Sequence, residues 1–269
     1  MTTVRKMTLR EFQALARKGE KLVTLTAYDA TMARLADAAG VHLLLVGDSL
    51  GMTMLGQPNT LAVTLDQSLH HTAAVVRGTK RALVIGDMPF LSYQVNADEA
   101  VRNAGRYLKE AGADGVKLEG GRTVAPLVVR LVQTGIPVLG HVGILPQLVV
   151  ADSGYHIKGR KDGEAEDLLN DALALQEAGA FAVVLEGIPE GVGRTITETL
   201  DIPTLGIGAG RYCDGQLQVI HDLLGLFEDF VPRHAKRYAQ LADAIRQAVG
   251  TYAADVQAGR FPGEEQTFQ

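Results

Sequence analysis

Short apolar runs recur along this chain, each followed by a polar turn and then by a stretch whose apolar residues fall at helical spacing. The runs over 22–26, 43–46, 82–85, 115–118, 138–141, 181–185 and 204–207 predict strands, and a weaker one lies at 216–220. Segments 30–39, 65–80, 97–111, 164–178 and 191–200 predict helices between them. Thr8 is placed to cap a further helix over 9–17, whose Leu9, Phe12, Leu15 and Ala16 form one apolar stripe suited to covering an end of a larger body. Gly40, Gly112 and Gly179 stand where a helix gives way to a strand, a C-cap position. A long helix is predicted over 232–258, ended by Phe261-Pro262, and Phe268 beyond it calls for a surface, which points to a subunit contact.

This alternation calls for right-handed β-α-β units. Eight of them within 269 residues match the size of a (β/α)8 TIM barrel, with a doubly wound open sheet as the alternative. No composition break or low-complexity linker divides the pattern, so a single domain over 1–269 is expected.

Composition narrows the function classes. With 46% hydrophobic and 21% charged residues the chain can bury a large core. A net charge of -5 without any basic run argues against an electrostatic nucleic-acid binder and leaves a small molecule as the expected partner. Cys213 is the one cysteine, which excludes an intrachain disulfide or a cysteine-rich zinc site and agrees with a reducing compartment. Residues 1–21 lack a secretory h-region and no apolar stretch approaches a membrane span, so a cytoplasmic location without membrane association is expected.

The strand ends then supply candidate chemistry. The buried run Leu43-Leu44-Leu45-Val46 stops at Gly47 and is followed at once by Asp48 and Ser49. The next predicted strands deliver Asp87, then Lys117 and Glu119, then His141, then Glu186 to the same C-terminal rim, where parallel α/β folds keep their active sites. Asp48, Asp87 and Glu119 offer hard oxygen donors suited to Mg2+; any one of them alone reads more readily as a cap or an ion-pair partner, but taken together with Lys117 and Glu186 the metal site is preferred. Lys117 can pair with these acids, meet an anionic substrate, or form a Schiff base. Glu186, expected beside apolar residues that would strengthen its hold on a proton, reads as a general base or as a helix N-terminal acid. His141 can serve as ligand, proton shuttle or core residue, with hydrogen bonding to substrate preferred.

Two motifs are set aside. Gly206-Ile207-Gly208-Ala209-Gly210 lies too late in the chain, and opens no helix, for a dinucleotide fingerprint. Gly47-Asp48-Ser49-Leu50 matches the signature of the GDSL esterases, but Gly225 stands three residues after Asp222 where their histidine would be, so Ser49 lacks a base.

Nearly the whole chain resembles the ketopantoate hydroxymethyltransferase family. The motifs that carry the likeness include Leu25-Thr26-Ala27-Tyr28-Asp29, Val46-Gly47-Asp48-Ser49-Leu50-Gly51-Met52, Gly86-Asp87-Met88-Pro89-Phe90, Val116-Lys117-Leu118-Glu119-Gly120, Gly140-His141-Val142-Gly143 and Leu185-Glu186-Gly187-Ile188-Pro189. The resemblance implies a barrel of the phosphoenolpyruvate/pyruvate type and hydroxymethyl transfer from 5,10-methylenetetrahydrofolate to 3-methyl-2-oxobutanoate, with a carbon-carbon lyase or mutase as the alternative. It also implies Mg2+ at Asp48, Asp87 and Glu119, substrate contacts from Asp48, Ser49, Asp87 and Lys117, Glu186 as proton acceptor, and a homodecamer. The chain departs from the family pattern in a loop over 144–162 expected to cover the site. There Ile144-Leu145-Pro146-Gln147 replaces an expected Leu-Thr-Pro-Gln, and Ser153 stands in place of a glycine.

Overall fold

A computed structural model describes residues 5–268 and divides into two compact units, Met1–Val219 and Ile220–Gln269. The first is a barrel of eight parallel strands: β1 Leu22–Thr26, β2 Leu43–Val46, β3 Leu83–Asp87, β4 Gly115–Lys117, β5 Val138–Gly143, β6 Ala182–Glu186, β7 Thr204–Ile207 and β8 Gly215–Gln218. Each strand pairs with the next, and Leu22 to Leu25 of β1 register against Gly215 to Gln218 of β8. That last pairing closes the sheet and removes the open-sheet alternative.

Helices α1 Leu9–Arg17, α2 Ala30–Ala38, α3 Leu50–Thr53, α4 Leu65–Gly78, α5 Ala97–Arg106, α6 Ala125–Gln133, α7 Glu164–Glu177 and α8 Glu190–Thr199 belong to the same unit. The predicted helix over 97–111 ends in a π-helical turn, Tyr107–Ala111. Gly40, Gly112 and Gly179 hold φ of 91°, 75° and 94°, as their C-cap positions require.

The two-residue period of the strands sorts the core. Leu43 and Leu45, Leu83 and Ile85, Leu139, Val184, Leu205 and Leu217 pack together inside the barrel, whereas Val116, Val138, Val142, Val183 and Leu185 join the cluster shared with the helices. Helix α1 closes the N-terminal end as expected. The Thr8 side chain and Glu11 form a capping box, and Phe12 meets Phe181 edge-on at 6.2 Å within the interior cluster.

In the second unit, α9 Ile220–Leu224 is followed by irregular chain, and α10 spans Leu241–Gln257. The helix predicted from residue 232 therefore starts nine residues late. The Tyr238 N–H donates to the Leu223 carbonyl and the Arg237 guanidinium to the Phe227 carbonyl, contacts that draw this segment out of helical conformation. No residue of α10 is buried.

Ser153 holds φ of 56°, the left-handed region that an L side chain enters at a cost and that glycine enters freely. Ser153→Gly should raise the melting temperature by about 1–3 °C, the relief of about 0.5–1 kcal/mol of strain. A lower melting temperature would count against that reading.

Candidate active site

Strand alternation builds the site. Asp87, His141 and Glu186 each lie two residues beyond an interior side chain, Ile85, Leu139 and Val184, and Lys117 follows the outward-facing Val116. All four therefore extend the barrel's inner columns at its C-terminal mouth. Asp48, Ser49 and Glu119 join from the turns just past β2 and β4.

Lys117 is the centre of this cluster. Its Nζ donates to Asp87 Oδ1 at 2.7 Å and Oδ2 at 2.8 Å, and to Glu119 Oε1 at 3.3 Å. Asp87 Oδ2 also accepts the Asp48 N–H at 3.1 Å. Ser68 and Tyr107 hydroxyls hold the Asp87 carbonyl, and Gly86 is what lets Tyr107 approach: a Cβ there would lie 2.2 Å from its ring.

One ammonium serves three buried carboxylates, and the proton affinities follow. Burial pushes Lys117 down, but Asp87, Glu119 and Asp48 more than reverse this and keep it cationic. Asp48 is raised well above the usual carboxylate range by burial, then by Asp87 and Glu119. Asp87 is raised by burial despite Lys117. Glu119 goes the other way: burial is outweighed by Lys117, His141 and the Gln147 N–H, which hold it at about 2.

His141 stands between Glu119 and Glu186, with Nδ1 3.5 Å from Glu119 Oε1 and Nε2 3.3 Å from Glu186 Oε2. Neither approach has hydrogen-bond alignment, so these are read as charge contacts of an imidazolium. Burial and Lys117 lower its pKa, but the two carboxylates prevail and bring it to about 9. His141 thus lies against two acids at the barrel mouth. Glu186 meets this imidazole, and one fifth of its side chain stays open to solvent.

Ser49 adopts helical φ and ψ ahead of α3 without capping it, and its Oγ lies 2.8 Å from the Tyr28 hydroxyl. A tyrosine in place of a histidine agrees with setting the esterase reading aside. Asp48, Asp87 and Glu119 belong to one hydrogen-bonded cluster, joined through Lys117, the Asp48 N–H and Gln147; as they stand, no three His, Cys, Asp or Glu side chains among the described residues are grouped as a metal site. Lys117 lies between Asp87 and Glu119 and pairs with both.

Sequence reasoning missed Tyr28, Tyr93 and Gln147. Gln147 donates from its backbone N–H to Glu119 Oε2 at 3.0 Å and from Nε2 to Asp48 Oδ2 at 3.3 Å. Tyr93 accepts the Glu119 N–H at 3.1 Å and donates to Gln147 Oε1 at 2.9 Å. A signal existed for Gln147, the one polar side chain in the run 142–151.

A profile described as ketopantoate hydroxymethyltransferase matches residues 6–264. The 3-methyl-2-oxobutanoate hydroxymethyltransferase of Chloroflexus aurantiacus is 57% identical over 260 residues, covering 97% of this chain and 92% of that protein. The enzyme of the same name from Clostridium botulinum is 51% identical over 262 residues, covering 97% and 95%. Among solved structures, the phosphoenolpyruvate phosphomutase of Streptomyces platensis aligns with a TM-score of 0.64 at 14% identity, over 98% of this chain and 92% of that one. A 2,3-dimethylmalate lyase of the PEP mutase/isocitrate lyase superfamily aligns with a TM-score of 0.62 at 17% identity, over 99% and 92%. Those two likenesses establish the type of barrel, while the closer relatives establish kinship: the chain belongs to the ketopantoate hydroxymethyltransferase family.

Proposed function

We propose that this protein transfers a hydroxymethyl group from 5,10-methylenetetrahydrofolate to 3-methyl-2-oxobutanoate, giving 2-dehydropantoate for pantothenate synthesis. The observation that carries the reading is one buried cluster at the barrel mouth in which Lys117 pairs with Asp87 and Glu119 and the Asp48 N–H donates to Asp87, with the partly open Glu186 at its edge. The relatives named for this activity support it. A lyase or mutase rests only on barrels at 14–17% identity, which share the fold alone.

The donor set fits a divalent cation. Asp48 and Asp87 are buried, carry hard oxygens and share a single ammonium with Glu119, so the cluster has an excess of negative charge. Asp48 and Asp87 would hold the ion, with Glu119 contributing charge while it stays on Lys117 and His141. When bound, Mg2+ would act as a Lewis acid toward the keto oxygen of the substrate.

The remaining work falls to the chain's own side chains. Lys117 and Ser49 orient the substrate carboxylate. Glu186 removes the C3 proton, and His141, 3.3 Å away, holds the Glu186 carboxylate in place and offsets its charge. The enolate carbon then bonds to the folate methylene carbon, whose two C–N bonds are broken, water supplies the hydroxyl on that carbon, and the protons released from C3 and from water end on the two nitrogens of the departing tetrahydrofolate. Exposed Leu91 and Val95 after β3, and Leu148, Val150, Tyr155 and Ile157 after β5, offer an apolar rim for a broad, flat donor.

We read 1–269 as one functional domain, since the family match runs from residue 6 to 264 and so includes parts of both units. The lone, buried Cys213 suits a cytoplasmic enzyme, and among the described residues no helix is long and apolar enough to cross a membrane. A homodecamer is consistent with the exposed stripe Ile245, Val249, Tyr252 and Val256 on α10, which light scattering would test.

Purified protein should form 2-dehydropantoate only when both substrates are present. Product formation should fall to background with excess chelator and return on adding Mg2+. Turnover of the 2-oxo acid without folate would favour the lyase or mutase reading, and turnover indifferent to chelator would remove the ion.

A further inference from the structure

Loop 144–162 exposes Leu148, Val150, Tyr155 and Ile157 and turns its one early polar side chain inward. Gln147, at the centre of the short 3-10 turn Pro146–Leu148, is 3% exposed. A glutamine amide has two donor hydrogens and an oxygen with two acceptor positions, and burial requires partners for each. All four are filled. Nε2 donates to the Met88 carbonyl at 2.9 Å and to Asp48 Oδ2 at 3.3 Å, and Oε1 accepts from the Tyr93 hydroxyl at 2.9 Å and from Gln94 Nε2 at 3.0 Å. The Met88 carbonyl can only accept, so the amide nitrogen must be the end that faces Asp48.

The backbone N–H of the same residue donates to Glu119 Oε2 at 3.0 Å. One residue therefore ties the loop after β5 to Asp48 beyond β2, to the turn after β3 and to Glu119 beyond β4. Fold packing alone does not require a saturated amide facing a carboxylate at a position whose neighbours are apolar.

We propose that Gln147 is a positioning residue: it latches the 144–162 loop onto the carboxylate cluster and fixes the orientation in which Asp48 meets the substrate. The inference rests on the proposed function. A side chain of equal length without the amide fills the volume but leaves Asp48 free to rotate. A glutamate at 147 sets oxygen against both the Met88 carbonyl and Asp48.

The test measures hydroxymethyl transfer by wild type, Gln147→Met and Gln147→Glu, normalised to the folded fraction from thermal melts. In Gln147→Met, kcat should fall roughly 10- to 100-fold, the scale of a small misplacement of reacting groups, while KM for the 2-oxo acid stays within about threefold because Lys117 and Ser49 are untouched. Gln147→Glu should lose more. Should Gln147→Met not fold, Gln147→Asn, one methylene shorter, carries the same expectation. A purely structural role predicts lower melting temperatures with kcat per folded molecule within about threefold of wild type, and that result overturns the proposal. A wild type that forms no product would fail the functional reading instead. Amide hydrogen exchange over 148–157 then decides the latch: faster exchange in Gln147→Met supports it, and unchanged exchange overturns it.

Discussion

Glu186→Gln should lower kcat for hydroxymethyl transfer about a thousandfold, while KM for 3-methyl-2-oxobutanoate changes by no more than about threefold. That loss corresponds to about 4 kcal/mol of transition-state stabilisation. Glutamine keeps the length of the side chain and an oxygen for His141 at 3.3 Å, so the barrel mouth is undisturbed and only the proton acceptor is lost. The position suits a base: Glu186 ends β6 two residues above Val184 in the inner column, and it alone of the four site carboxylates retains appreciable exposure toward an entering substrate. Steady-state kinetics decide the matter. A variant with near-normal kcat and a raised KM would make Glu186 a binding residue.

Lys117→Met should be the most destabilising substitution in the site. It leaves Asp87 and Glu119 buried without their ammonium, and breaking a buried pair in this way costs about 3–5 kcal/mol, or on the order of 10 °C in melting temperature for a chain of this size. The pH dependence has a definite sign. In the wild type, Glu119 is held at about 2, so its contribution is present above the unfolded value near 4.5 and is lost as pH falls through about 2. Without Lys117 the buried carboxylates bind protons more tightly folded than unfolded, so the variant gains stability as pH falls. Its deficit against the wild type should be largest near pH 8 and smaller near pH 5. Calorimetric melts across that range that show a constant or opposite difference would contradict the assigned charge state.

Much of this was legible because strand ends are written locally. The runs at 22–26, 43–46 and 204–207 coincide with β1, β2 and β7, and Asp87 and Glu186 end β3 and β6 as the polar residues after those buried runs. What stayed hidden depends on distance in the chain. Lys117 reaching Asp87 follows from the pairing of β3 with β4, which no single segment encodes. Gln147 lies 99 residues from Asp48, and its role appears only once the loop after β5 folds over the ends of β2, β3 and β4. The helix predicted from 232 failed for a similar reason: helical composition at 232–240 yields to backbone contacts with Leu223 and Phe227. Helix termini and strand edges obey local rules, whereas the partners of buried ionic groups are tertiary facts.

The central claim is that this barrel mouth draws a proton from C3 of a bound 2-oxo acid. The most direct measurement follows the C3 hydrogen of 3-methyl-2-oxobutanoate by NMR in D2O with wild-type protein and Mg2+, in the absence of folate. Enzyme-dependent replacement of that hydrogen by deuterium, abolished by Glu186→Gln, is the predicted result; full retention of the hydrogen, or exchange that persists in Glu186→Gln, would contradict it.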